Sequence, residues 1–125
     1  MTPSPTIAVV DDDIGICEAL AELLEVLGFQ CETFEQPDDF LTANVNGAFD
    51  CLITDLNMKG MNGLELQKRL VSTNPQLPII FMSAQSASEA RSQALRSGAI
   101  AFLGKPINDE VLYRHIVSAL NRGSV

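Results

Sequence analysis

"IAVVDDDIG", residues 7–15, sets four apolar residues directly against three aspartates, and an amphipathic pattern begins at once afterwards. A short, continuously apolar run reads as a strand buried on both faces, the kind found in a parallel sheet covered by helices. Asp11, Asp12 and Asp13 then repel one another at the strand's carboxyl end. A bound cation is what makes such crowding tolerable.

The same alternation of strand and helix recurs along the chain. Cys17, Leu20, Leu24 and Leu27 follow at helical spacing with Glu18, Glu22 and Glu25 outward, and Gly28 suits the helix end. "CETF" (31–34) alternates, which suits an edge strand. Pro37 opens a second helix carrying Phe40 and Leu41, with Gly47 beyond it. "CLIT" (51–54) is a buried strand, and Gly63 precedes a helix with Leu66 and Leu70 inward and Lys68 and Arg69 outward. "IIFM" (79–82) is another buried strand. Ser86 with Glu89 forms a capping box for a fourth helix that Gly98 ends. "IAFL" (100–103) is the fifth strand. Asn108, with Asp109 and Glu110 in the first turn, starts a last helix carrying Leu112, Ile116 and Leu120. This pattern predicts an α/β fold, a doubly wound (βα)5 flavodoxin-like arrangement. Its five parallel strands are expected in the order 2-1-3-4-5. Residues 1–125 read as one domain, with 1–5 a short N-terminal tail and 122–125 a tail or the start of a linker.

Composition narrows the function. The chain has 125 residues, 46% of them hydrophobic and 19% charged, with a net charge of −8. That balance describes an ordinary globular domain and disfavours direct binding to nucleic acid or to an anionic membrane. No apolar run is long enough to span a bilayer, and "MTPSPT" has neither the basic nor the apolar region of a secretory signal. Cys17, Cys31 and Cys51 lie within apolar patterns and outside any CxxC. They are expected as buried, reduced thiols in a cytoplasmic protein.

The expected topology brings the polar strand ends together. Strands 1 and 3 are neighbours at the point where the chain reverses its winding, and ligands bind beyond the carboxyl ends of strands at such a point. Asp11 and Asp12 leave strand 1 there, and Asp55 leaves strand 3. Taken alone, an Asp run before a helix is a cap, and that role is assigned to Asp13. Taken alone, Asp55 is a turn residue, Lys105 a solvated surface lysine and Ser83 a helix-initiating hydroxyl. Together at one sheet edge they suit a phosphoryl group: Mg²⁺ on one oxygen, Lys105 and Ser83 on others, and Asp55 as nucleophile. Pro106 leaves open a cis bond after Lys105. His115, the single histidine, reads as a half-exposed residue of the last helix.

Four motifs in order, "VVDDD", "ITDLNMKGMNG", "FMSA" and "GAIAFLGKPI", make the chain resemble a response-regulator receiver domain of bacterial two-component signalling, and "VVDDD" with "ETFEQPDDFL" resembles receivers that precede LuxR-type output domains. The resemblance spans about Thr6 to Arg122. It implies that Asp11, Asp12, Asp55 and the Asn57 backbone carbonyl bind Mg²⁺, with Asp12 the more direct ligand. It implies phosphorylation at Asp55, aided by Lys105 and Ser83, with Asn57 and Gln85 flanking the path of the hydrolytic water. Ser83 and Phe102 would form the switch. The implied partners are a sensor histidine kinase or a histidine phosphotransfer protein, and a second copy or an effector at the helix 4–strand 5–helix 5 face. Lys59 departs from the family, which usually has proline there.

Other classes fit less well. A haloacid-dehalogenase-type hydrolase needs an acid two residues after its nucleophile, where this chain has Asn57. A flavodoxin's first loop must cradle a phosphate, which "DDDIG" would repel. A receiver that only binds partners would have lost Asp55, Lys105 or an acidic-pair residue, and all are present.

Overall fold

The computed structural model describes residues 4–45, 47–84 and 88–121. Strand β1 (Thr6–Val10) leads into helix α1 (Ile14–Val26), and β2 (Gln30–Phe34) into α2 (Pro37–Ala43). They are followed by β3 (Cys51–Asp55), α3 (Gly63–Thr73), β4 (Ile79–Ser83), α4 (Ser88–Arg96), β5 (Ala101–Gly104) and α5 (Asp109–Asn121). The strands form one parallel sheet in the order β2-β1-β3-β4-β5, as the apolar runs and the alternating edge strand imply. The Ser86–Glu89 capping pair falls partly on residues outside those described.

Alternate side chains of each strand point to opposite faces, and two cores result. Ile7, Val9, Cys51, Ile53, Ile80 and Met82 pack under α1 and α5, against Leu20, Leu24, Leu112 and Ile116. Ala8, Val10, Leu52, Ile79 and Phe81 pack under α2, α3 and α4, against Phe40, Leu66, Leu70 and Ala94. Cys17 and Cys51 are buried and unbridged. Cys31 is only half-buried, because the edge strand has no neighbour on its outer side. Burial pushes all three thiols up, to about 11, 11 and 12 for Cys17, Cys31 and Cys51. They are protonated and unreactive at neutral pH. No helix among the described residues is long and apolar enough to cross a membrane.

The register decides what meets at the carboxyl edge. Val10 lies opposite Thr54, so the next residues, Asp11 just past β1 and Asp55 at the end of β3, stand side by side at that edge. Ser83 lies opposite Gly104, so Lys105 follows one step beyond the hydroxyl. Asp13 caps α1, accepting hydrogen bonds from Gly15 N (2.9 Å) and Ile16 N (3.3 Å). Asn62 caps α3 through a capping box with Glu65, so Gly63 is the helix's first residue rather than its predecessor.

Gly63 also fixes how closely α3 approaches β3. A Cβ there would stand 2.6 Å from the Asp55 carbonyl oxygen and 2.9 Å from Phe81 Cε1. The first clash is with backbone, which cannot rotate away. Gly63→Ala is therefore expected to destabilise the fold by about 1–3 kcal/mol. A lower urea midpoint with an unchanged slope would report it.

Candidate functional site

The strand ends converge as expected. One carboxylate oxygen from each of Asp11, Asp12 and Asp55 lies within 4.8 Å of the others. Asp11 is fully buried, Asp55 is buried at 6% exposure, and Asp12 is exposed. Burying like charges this close is costly, and the structure offsets the cost locally. Asp11 Oδ1 accepts the Asp13 N–H at 2.9 Å. Asp11 Oδ2 accepts Lys105 Nζ at 3.2 Å, and the same ammonium stands 3.4 Å from Asp55 Oδ1. Asp12 Oδ2 accepts the backbone N–H of Lys59 at 3.1 Å.

One lysine does not balance three acids. Burial, and then the charge of Asp11, raise the Asp55 pKa above its ordinary value, with Lys105 opposing them. Burial also disfavours the Lys105 ammonium, but its hydrogen bond to Asp11 and the charges of Asp11 and Asp55 outweigh this and raise its pKa. Three carboxylates against one ammonium leave a formal excess of two negative charges, which is what a divalent cation supplies. The donors are all hard oxygens, suited to Mg²⁺ rather than to a soft metal. The exposed side at Asp12 leaves room for the waters that Mg²⁺ keeps. By charge and donor type, the residues fit such an ion.

The other expected residues fall around this cluster. Ser83 is buried at the end of β4, where its carbonyl accepts the Lys105 N–H at 2.8 Å. The Lys105–Pro106 bond is cis. Asn57 is exposed in the loop after β3. Phe102 is half-buried on β5, stacked on the buried Phe81 with ring centroids 5.9 Å apart. His115 is half-buried on α5. Gln85 lies outside the described residues. Three features went unread in the sequence: the Lys105–Asp11 pair, the Lys59–Asp12 bond and the close approach at Gly63. The glycine after "MKGMN" was visible, but nothing local marked its neighbours.

Comparisons with known proteins agree with this geometry. The family model described as "Response regulator receiver domain" matches residues 7–117. The transcriptional regulatory protein TdiR of Thauera aromatica is 36% identical over 92% of this chain and 51% of its own length. The corresponding figures for FixJ of Bradyrhizobium diazoefficiens are 34%, 98% and 60%. The chain thus spans between half and three-fifths of these relatives. Among solved structures, a response-regulator receiver domain from Clostridium thermocellum superposes with a TM-score of 0.90 at 26% identity, covering 96% of this chain and 97% of that one.

The raised Asp55 pKa has a consequence for stability in metal-free buffer. A carboxyl whose folded pKa lies above its unfolded value destabilises the fold once both states are ionised. Asp55→Asn should therefore raise the melting temperature at pH 7 in chelator. The gain should shrink as pH falls through the folded pKa and vanish below about 3.8, the ordinary value. Thermal melts across that pH range check it.

Proposed function

The chain belongs to the receiver-domain family of response regulators in two-component signalling, and from that premise we propose that Asp55 is its phosphoacceptor. The observation that carries this reading is the single ammonium of Lys105 lying between Asp11 and Asp55, with an Asp12 oxygen in the same cluster. Asp11 has one oxygen on a backbone N–H and the other on Lys105. Asp12 is the more exposed acid, which supports it as the more direct ligand of Mg²⁺, with Asp11, Asp55 and the Asn57 carbonyl completing the protein's share. The metal would neutralise charge on the phosphoryl oxygens and the nucleophile. Asp55 attacks phosphorus, Lys105 holds a phosphoryl oxygen once the group arrives, and the Ser83 hydroxyl donates to another. No histidine lies at the site, so the donor is external: a sensor histidine kinase, a histidine phosphotransfer protein or a small phosphorylated metabolite. The domain, read as residues 1–125, catalyses its own phosphorylation and dephosphorylation and works in the cytoplasm.

The same geometry supports a switch. A phosphoryl group at Asp55 adds charge and strong acceptor oxygens. Movement of Ser83 toward them frees space for Phe102, whose ring is half-buried against Phe81. Completing that burial is worth no more than ~1–1.5 kcal/mol, about a tenfold change in a two-state ratio. The reshaped α4–β5–α5 face is where an effector or a second copy docks.

Acetyl phosphate with Mg²⁺ should add one phosphoryl group, detected by intact mass, and Asp55→Asn should abolish it. Beryllofluoride should shift the NMR signals of Ser83, Phe102 and α4 together. Equal labelling of the Asn variant would place the acceptor elsewhere, and shifts confined to the loops would disprove the switch.

A further inference from the structure

The loop between β3 and α3 is tied to the acidic cluster by its own main chain, through the 3.1 Å bond from Lys59 N to Asp12 Oδ2. That bond holds Lys59 on the rim of the crevice. Its side chain is exposed, and among the described residues it enters no ion pair. Lys105 carries the internal neutralisation, so the Lys59 ammonium faces solvent beside three acids without being consumed by them. The surroundings make that position unusual. None of the eight Lys and Arg residues precedes position 59, whereas twelve of the sixteen Asp and Glu residues do. Those first residues build β1, α1, β2, α2 and β3. Among the described residues of the loops at the carboxyl edge, Lys59 and Lys105 are the cations, and Lys59 is the exposed one.

A phosphodonor is an anion that must cross this negative field. We propose that Lys59 is a specificity-determining residue whose exposed ammonium draws small, dianionic acyl phosphates to the crevice. The inference rests on Asp55 as phosphoacceptor. In the transfer, an Asp55 carboxylate oxygen forms a bond to phosphorus as the bond from phosphorus to the acyl oxygen breaks. The carboxylate of the donor leaves with that electron pair. Lys59 touches none of these atoms. It acts on encounter, through charge, and its main-chain N–H sets where the charge stands.

The same charge has the opposite effect on a divalent cation, which it repels. Lys59→Ala keeps the backbone donor and removes only the ammonium, so the two effects separate. With saturating Mg²⁺ and subsaturating acetyl phosphate, the variant's phosphorylation rate should fall about three- to tenfold at low ionic strength. The difference should close at high salt. Phosphoramidate, a less negative donor, should lose less. Mn²⁺ binding, followed by electron paramagnetic resonance, should tighten about two- to fivefold. Lys59→Arg should retain wild-type values in every assay. A structural role would weaken metal and donor together, so that result overturns the proposal, as does an unchanged or salt-independent rate. If the wild-type protein takes no phosphoryl group from acetyl phosphate, the phosphoacceptor reading falls and this inference falls with it. If wild type and Lys59→Ala are labelled equally fast at low salt, the phosphoacceptor reading stands and this inference alone fails.

Discussion

The fully buried carboxylate of Asp11, held by Lys105 from the far side of the sheet, is the contact on which the rest of this edge depends. A buried carboxylate without partners would take up a proton or unfold its surroundings. Here one oxygen accepts the Asp13 N–H, which also orders the turn into α1, and the other accepts the Lys105 ammonium. Asp13 is thereby oriented to cap the helix. Lys105 is drawn inward to a point where it also reaches Asp55. One buried charge thus couples the ends of β1, β3 and β5.

The coupling is incomplete by design of charge. A single ammonium leaves the cluster negative, and burial, with the charge of Asp11 added to it, raises the Asp55 pKa against the pull of Lys105. Such a deficit suits a divalent cation, and the proposed phosphoacceptor role builds on it, because a bound cation would offset the negative charge that a phosphoryl group brings. The fold supplies stiffness: β3 and β4 are buried along their whole length, and Gly63 lets α3 sit against the Asp55 backbone.

The strands, their order and the site's carboxylates were legible because each depends on a local pattern. An apolar run that ends in acid marks both a buried strand and its polar exit, at Val10–Asp11 and again at Thr54–Asp55. What was illegible depends on distances between elements. The pairing of Lys105 with Asp11 follows from the register and from which acid lies deeper. The helical pattern of α3 placed Leu66 and Leu70 inward but gave no reason to bury Gln67 beside them. Its Nε2 donates to the Ala94 carbonyl of α4 at 2.9 Å, a partner that only helix packing provides. Lys59 was visible as a departure in charge. Its main-chain bond to Asp12 was not, since any residue except proline can donate there.

The central claim is that unbalanced negative charge in the Asp11–Asp12–Asp55 cluster is relieved by a divalent cation. Its most direct test is a pH titration of the Asp55 side-chain carboxyl by ¹³C NMR, in chelator and then in millimolar Mg²⁺. The midpoint should lie above the ordinary value of 3.8 without metal and move down when Mg²⁺ is added, because the cation favours the ionised form. An ordinary midpoint that Mg²⁺ leaves unchanged would contradict the claim.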